Sequence, residues 1–237
     1  MITITPETTV REIAAAEAAA ARVFESFGID YCCGGRKPLA QACGERGVEA
    51  GAVLAALEEA MQQPQPDERD WSAEPLAALC RHIEDTHHVF TRSEMERIQA
   101  LAAKVVARHG ADRPELGEIQ ERIDALQGEL LPHLQREELM LFPYIASLER
   151  TRSAGETQAS GGSVRNPIRV MIADHDAAAA EMAAIRKLSR EYTPPQGACP
   201  TYRAFYAALA EFERDLHRHV HLENNILFPR AIALDEA

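Results

Sequence analysis

A chain of 237 residues with 46% apolar side chains is long enough to bury a sizeable core, as one large domain or as two unequal ones. A net charge of -12 leaves nothing to neutralise phosphates and excludes nucleic acid as a partner. The opening MITITPETTV lacks the basic start and apolar run of a secretory signal, and no stretch approaches the roughly 20 apolar residues of a membrane span.

Five cysteines, an odd number, argue for reduced thiols rather than a secreted disulfide framework, so the expectation is a cytoplasmic protein with no membrane partner.

In chain order, Thr9-Val10-Arg11-Glu12 reads as a capping box opening a helix that runs to Gly28, with Val10, Ile13, Val23, Phe24 and Phe27 as apolar positions. A turn with two cysteines and two glycines follows, then short helices near 38–45 and over 48–61. Residues 1–62 therefore predict a small helical domain carrying Cys32 and Cys33. The run Gln62-Gln63-Pro64-Gln65-Pro66-Asp67 is polar and proline-rich, so 63–72 reads as a linker.

Within 73–237, four stretches at 74–109, 113–150, 167–192 and 201–234 carry helical periodicity, with almost no strand signal. The breaks are Gly110-Ala111-Asp112, a Ser/Gly-rich segment over 151–166, and Thr193-Pro194-Pro195-Gln196-Gly197. Tight, long and tight connections predict an all-α fold, an up-down-up-down four-helix bundle preceded by the small helical domain.

Ionisable residues occupy core positions of this bundle. The second helix has an apolar stripe at Leu116, Ile119, Ile123, Leu126 and Leu130, broken by His133 and Glu137 and resumed at Leu141, Ile145 and Leu148. In the fourth, Phe205, Leu209, Phe212 and Leu216 lead into His219 and Glu223 before Leu227. In the third, His175 sits among Ile168, Met171, Ile172, Met182 and Ile185. A buried imidazole or carboxylate is costly unless paired or coordinated, so each needs a partner.

Two segments, HLQREELMLFP from His133 and HVHLENNILFP from His219, share His-x3-Glu followed by Leu-Phe-Pro. A repeated ligand pair on one helix face is what a two-metal site with pseudo-twofold symmetry requires. Each pair needs a further ligand from the neighbouring helix at the same height. His88 and His133 are equidistant from the turn at Gly110-Ala111, and Gly197 lies midway between His175 and His219. His109 falls far along the helix from His88.

A lone core histidine is more often a hydrogen-bonded structural residue than a ligand, but four at one level with two matched carboxylates reverse that weighting. The reading is two metals, each held by two of His88, His133, His175 and His219, with Glu137 and Glu223 bridging. Imidazoles with carboxylates and no thiolate favour two iron ions or manganese, with zinc less favoured, and an oxo or hydroxo bridge would help complete the shell. His82, His87, His217 and His221 fall beside this set, as surface or supporting residues. Glu129 and Asp174 are left between an access path, a hydrogen bond to a ligand, and a solvated carboxylate.

The Asp30-Tyr31-Cys32-Cys33-Gly34-Gly35 turn reads as exposed, with a helix end, Arg36 and Lys37 nearby to stabilise a thiolate. Adjacent cysteines close a strained ring if oxidised together, so paired thiols or soft-metal ligands fit better, beside the alternative of a merely structural turn. Cys43, Cys80 and Cys199 read as packing or loop residues.

GIDYCCGG at Gly28 to Gly35, together with HxxxExxxxFP twice and the stretch Thr193-Pro194-Pro195 with Ala198-Cys199, resembles the Repair of Iron Centres family over almost the whole chain. The resemblance implies a haemerythrin-like di-iron bundle with a bridging oxygen and a cytoplasmic role in repairing iron-sulfur clusters damaged by nitric oxide or peroxide. It carries the metal role onto His88, His133, Glu137, His175, His219 and Glu223 and a thiol role onto Cys32 and Cys33. Damaged iron-sulfur proteins are the implied clients, with nitric oxide or dioxygen as small ligands, and a homodimer is compatible with the sequence. Iron donation and nitric oxide binding or reduction are not separated by these residues, and a redox sensor is a third alternative. Oxygen-carrying haemerythrins place a second histidine one turn after the third-helix ligand, where this chain has Ala179. The centre is therefore expected to be more open and its iron less firmly held.

Overall fold

A computed structural model describes residues 3–17, 19–32, 34–62, 71–155 and 163–236. The proline-rich run at Pro64 to Pro66, the middle of the Ser/Gly-rich segment and Cys33 lie outside the described residues. Among those described, the regular structure is helical, with one isolated antiparallel bridge between Thr9 and Pro38. No described helix is long and apolar enough to cross a membrane.

The predicted capping box opens α1 (Val10–Ala16): Thr9 Oγ1 accepts the Glu12 N–H, and the Glu12 carboxylate accepts the Thr9 N–H. The single helix expected as far as Gly28 is instead two, because the backbone turns extended at Glu17 and resumes as α2 (Ala20–Phe27). A continuous helix would carry the stripe of Val10, Ile13 and Ala14 onto Glu17, a charge that the small core cannot take. Breaking there lets Ala20, Val23 and Phe24 face inward instead. Gly28 ends α2 at φ 66°, a left-handed conformation suited to glycine. With α3 (Leu39–Arg46) and α4 (Ala50–Gln62), these helices enclose a core of their own around Ile13, Phe24, Tyr31, Leu39 and Leu57.

Four long rods form the bundle, three of them interrupted by a π turn. The first runs through α5 (Leu76–His82), a π turn at Ile83–His88 and α6 (Val89–His109). The second is α7 (Glu115–Arg136), a π turn at Glu137–Leu141 and α8 (Phe142–Ser153). The third is α9 (Arg165–Leu188), and the fourth is α10 (Pro200–His221), a π turn at Leu222–Leu227 and α11 (Phe228–Glu236). Packing of α6 on α7 and α10, and of α7 on α9, gives the expected antiparallel bundle. The third rod ends at Leu188, short of the expected 192. Arg190, Glu191 and Tyr192 form a left-handed turn there, with the Tyr192 N–H bonded to Ser189 Oγ.

The bundle interior holds two apolar clusters. One lies toward the α6–α7 turn, with Ile98, Ile123, Phe205 and Phe212; the other lies toward the opposite end, with Leu79, Ile145, Ile168 and Phe228. The charged core positions fall between them.

The small amino-terminal unit docks on the fourth rod. Tyr31 is fully buried, with its ring edge-on to His217 and His221 and its carbonyl accepting the Asn225 Nδ2–H at 2.9 Å. Its hydroxyl donates to Glu25 Oε1 at 2.9 Å, and Arg218 grips both oxygens of the same carboxylate at 2.9 and 2.8 Å. Arg11 donates to the Asn224 carbonyl at 3.0 Å.

Candidate metal centre

Residues four apart share a helix face, so His133 with Glu137 and His219 with Glu223 point to one place from the second and fourth rods. His88 ends the π turn of the first rod, and His175 comes from α9. Each π turn carries one of these groups, in keeping with the tendency of such widened turns to occur at functional sites. In the repeats, Pro143 and Pro229 follow just after, and the wider turn makes room for a ring that would press on the carbonyl four residues back.

The six side chains converge as two overlapping sets of four. His88, Glu137, His219 and Glu223 form one, and His133, Glu137, His175 and Glu223 the other; within each, one ligand atom per residue lies within 4.8 Å of the rest. Both carboxylates belong to both sets and are fully buried. Glu137 sets one oxygen 3.3 Å from His133 Nε2 and the other 3.5 Å from His88 Nε2. Glu223 likewise lies 3.1 Å from His219 Nε2 and 3.0 Å from His175 Nε2.

The donor set fits cations better than it fits hydrogen bonding alone. Both Glu137 oxygens, Glu223 Oε2 and His88 Nε2 are buried without a hydrogen-bond partner among the described residues. His133 and His175 face each other Nε2 to Nε2 at 3.0 Å. Buried acceptors without donors are costly, and a cation between the lone pairs removes that cost.

Outward contacts orient the rings. His88 donates from Nδ1 to Glu138 Oε1 at 2.7 Å, and Arg92 holds both Glu138 oxygens at 2.8 and 2.9 Å. His133 Nδ1 donates to Asp174 Oδ2 at 3.2 Å, an oxygen also held by Arg136, and His175 Nδ1 donates to Asn224 Oδ1 at 3.0 Å. A proton at Nδ1 leaves Nε2 with its lone pair inward, which is the ligand form. Among the described residues His219 has no such outer contact: its Nδ1 is without a partner there.

Burial disfavours the imidazolium, yet Glu137, Glu223 and Asp174 outweigh it and hold His133 up at about 9. His88 is raised by the same balance, its burial outweighed by Glu137, Glu223 and Glu138, whereas burial wins at His219 and lowers it. Burial and the Glu223 charge push Glu137 up, and the histidines more than offset both; Glu223 is held well below the ordinary carboxylate range despite its burial, by His219 and His175. Histidine-carboxylate attraction thus keeps the two buried acids ionised.

Of the two carboxylates left open by sequence, Asp174 contacts a converging histidine and Glu129 is exposed. Sequence reasoning missed Glu138, Arg92 and Asn224. The one local signal was Arg92, a helical turn from His88 on the same face. His87 bonds Asp215 at 2.9 Å, buried His221 faces Asn225, and His82 stacks on Trp71. His109 lies beside Cys199 at the far end.

The cysteine turn departs from expectation. Cys32 is buried rather than exposed, because the turn is pressed between the two units. Its thiol donates to Asp30 Oδ1 at 3.3 Å, and Lys37 is engaged with Glu45. Cys32 borders a cavity of about 500 Å³ that is also lined by Arg11, Arg36, Asn224 and Phe228. Asn224 and Phe228 both touch His175, by the hydrogen bond above and by ring stacking at 6.0 Å. Cys43 and Cys80 are buried and Cys199 is half-buried, as their reading as packing or loop residues anticipates; these three are free thiols.

Residues 79–231 match the hemerythrin HHE cation binding domain, and residues 6–61 match a domain of unknown function, DUF542. The chain is 35% identical over 223 residues to the iron-sulfur cluster repair protein YtfE of Pectobacterium carotovorum subsp. carotovorum, covering 93% of this chain and 95% of that one. It is 37% identical over 214 residues to the protein of the same name from Yersinia pseudotuberculosis, covering 90% and 91%. With its two buried His/Glu clusters consistent with a binuclear metal site, the chain belongs to the YtfE family of iron-sulfur cluster repair proteins.

Proposed function

We propose that this protein repairs iron-sulfur clusters damaged by nitrosative or oxidative stress, using two iron ions held by His88, His133, Glu137, His175, His219 and Glu223. The observation that carries the reading is the pair of buried four-residue sets sharing both carboxylates. Relatives named iron-sulfur cluster repair proteins match it over at least 90% of this chain. Four imidazoles and two carboxylates without a thiolate suit iron or manganese better than a cysteine-type zinc site. Bound there, two irons supply one-electron redox change and positions for a small ligand such as nitric oxide or dioxygen.

The chain's own residues define that chemistry. Glu137 and Glu223 neutralise two cations at once, the Nδ1 contacts aim the rings, and the apolar clusters on either side limit water. Damaged iron-sulfur proteins are the clients, and iron given up by the protein is the cargo. Cys32 and Cys33 are assigned a thiol role toward the centre, supported by Cys32 lining the same cavity as Asn224 and Phe228, which touch His175. The domain boundaries at 62 and 73 separate this thiol unit from the metal unit. The reading places the protein in the cytoplasm, where reduced thiols persist.

The test incubates the iron-loaded protein with a nitrosylated cluster enzyme and, separately, with nitric oxide and a reductant. Recovered enzyme activity without nitrous oxide is the expected result. Nitrous oxide without recovery would replace repair by nitric oxide reduction.

A further inference from the structure

The four converging imidazoles are not held alike. His88, His133 and His175 each turn Nδ1 toward an acceptor, namely the Glu138 carboxylate, the Asp174 carboxylate and the Asn224 amide oxygen. Two of these acceptors are themselves fixed, Glu138 by Arg92 and Asp174 by Arg136. In all three rings the Nδ1–H is met by an acceptor, and Nε2 is the nitrogen turned toward the centre.

His219 differs. It is 1% exposed, and its Nδ1 has no partner among the described residues. The ring beside it, His87, lies parallel at 5.6 Å between centroids and has its own Nδ1 engaged with Asp215. His219 Nε2 instead lies 3.1 Å from Glu223 Oε1 in hydrogen-bonding geometry, so the neutral ring keeps its proton there and donates to the carboxylate. To ligate through Nε2, His219 must give up that bond and carry its proton at Nδ1, where a buried N–H meets no acceptor. The other three rings also bring Nε2 close to Glu137 or Glu223, but each has an acceptor in place at Nδ1.

Resting on the two-iron reading above, we infer that the two metal positions are unequal: the one shared by His133 and His175 retains its ion, and the one completed by His88 and His219 exchanges it. His219 is the ligand that lets go, returning to its hydrogen bond with Glu223. Loss of one outer contact to a ligating histidine costs on the order of tenfold to a hundredfold in metal affinity, which sets the expected inequality. A repair protein that hands over iron would then release it from one defined position while Glu137 and Glu223 stay bound to the other.

The experiment loads the full chain anaerobically with Fe(II) and, in parallel, with Co(II), then follows release to a chromogenic chelator in excess. Two phases of one metal per chain each are expected, differing in rate by at least about tenfold. Two variants assign them: Glu138→Gln should speed the fast phase alone, through His88, and Asp174→Asn the slow phase alone, through His133. Asn224→Ala, through His175, should also act on the slow phase and serves if either carboxylate variant loses its fold by circular dichroism. A single phase, or the reverse assignment, overturns the inference while leaving the two-metal reading intact. Fewer than two metals bound per chain at saturation would overturn both.

Discussion

Glu137 and Glu223 are carboxylates with no solvent exposure, and burial alone would drive both toward the neutral acid. Histidines hold them ionised, so in the metal-free protein each is an ion-pair member whose charge is only partly satisfied. Leucine at either position would continue the apolar stripe, and exchanging buried charge for apolar volume is often neutral or stabilising by about 1–4 kcal/mol. For Glu137→Leu and Glu223→Leu the metal-free protein should therefore melt no lower than the parent. Metal content should fall for both positions at once, because each carboxylate belongs to both sets. Full metal content with a lowered melting temperature would make the carboxylates structural. These two glutamates and their histidines were legible from spacing, since a helix puts residues four apart on one face whatever surrounds it.

At the scale of the element, the π turns do what regular helix would not. The turn at Leu222–Leu227 offsets the fourth rod just where Glu223, Asn224 and Asn225 must face His219, His175 and Tyr31 in succession. Pro132 sits within α7 without such a turn, so a proline is not by itself sufficient to open one. In the first rod the Thr86 hydroxyl bonds the His82 carbonyl inside the π turn, a local substitute for part of the backbone ladder. Pro229→Ala restores an N–H that can reach the Asn225 carbonyl, and alanine is the better helix former by about 3 kcal/mol in a helix interior. The expected outcome is a metal-free protein at least as stable as the parent, with metal affinity reduced by about tenfold or more as Glu223 and Asn224 rotate away. Calorimetric titration with Co(II), beside thermal unfolding, checks it; unchanged affinity would separate the π turn from the site.

Over the whole molecule, the amino-terminal unit is fastened to the rod that carries Glu223. Burial raises the Glu25 pKa, but the bonds from Arg218 and Tyr31 and the charges of Arg218 and His217 outweigh it, so the carboxyl is held below its ordinary value. A depressed acid contributes stability that is complete above the unfolded pKa of about 4.3 and is lost as pH falls through the folded value. Thermal unfolding of the parent and Glu25→Gln between pH 7 and pH 3 should show a gap at neutral pH that closes on the acid side. Arg218 is half exposed, so the gap at neutral pH should not exceed about 1 kcal/mol. A gap that widens toward acid would contradict the ion pair. All six proposed ligands lie beyond residue 72, so a chain beginning at Asp70 should still take up two metals, though at a lower melting temperature because His221 and Asn225 lose their contacts with Tyr31. A folded but metal-free product would give the amino-terminal unit a part in building the centre.

What the sequence determined by itself was whatever depends on neighbours along one helix. The apolar stripes placed four rods, the repeated His-x3-Glu put a histidine and a glutamate on one face of each of two rods, and distances from the turns set His88 and His175 at the same height. Tertiary structure decided what depends on how helices rotate and cross. It chose Glu138, Asp174 and Asn224 as the outer contacts of three histidines and left His219 with none among the described residues. It also divided the first helix at Glu17 and buried Cys32, because a small core and a docked surface reward different faces from those a continuous exposed helix would present. Local spacing brings a side chain to the interior, but only the packed neighbours decide which of its atoms finds a partner there.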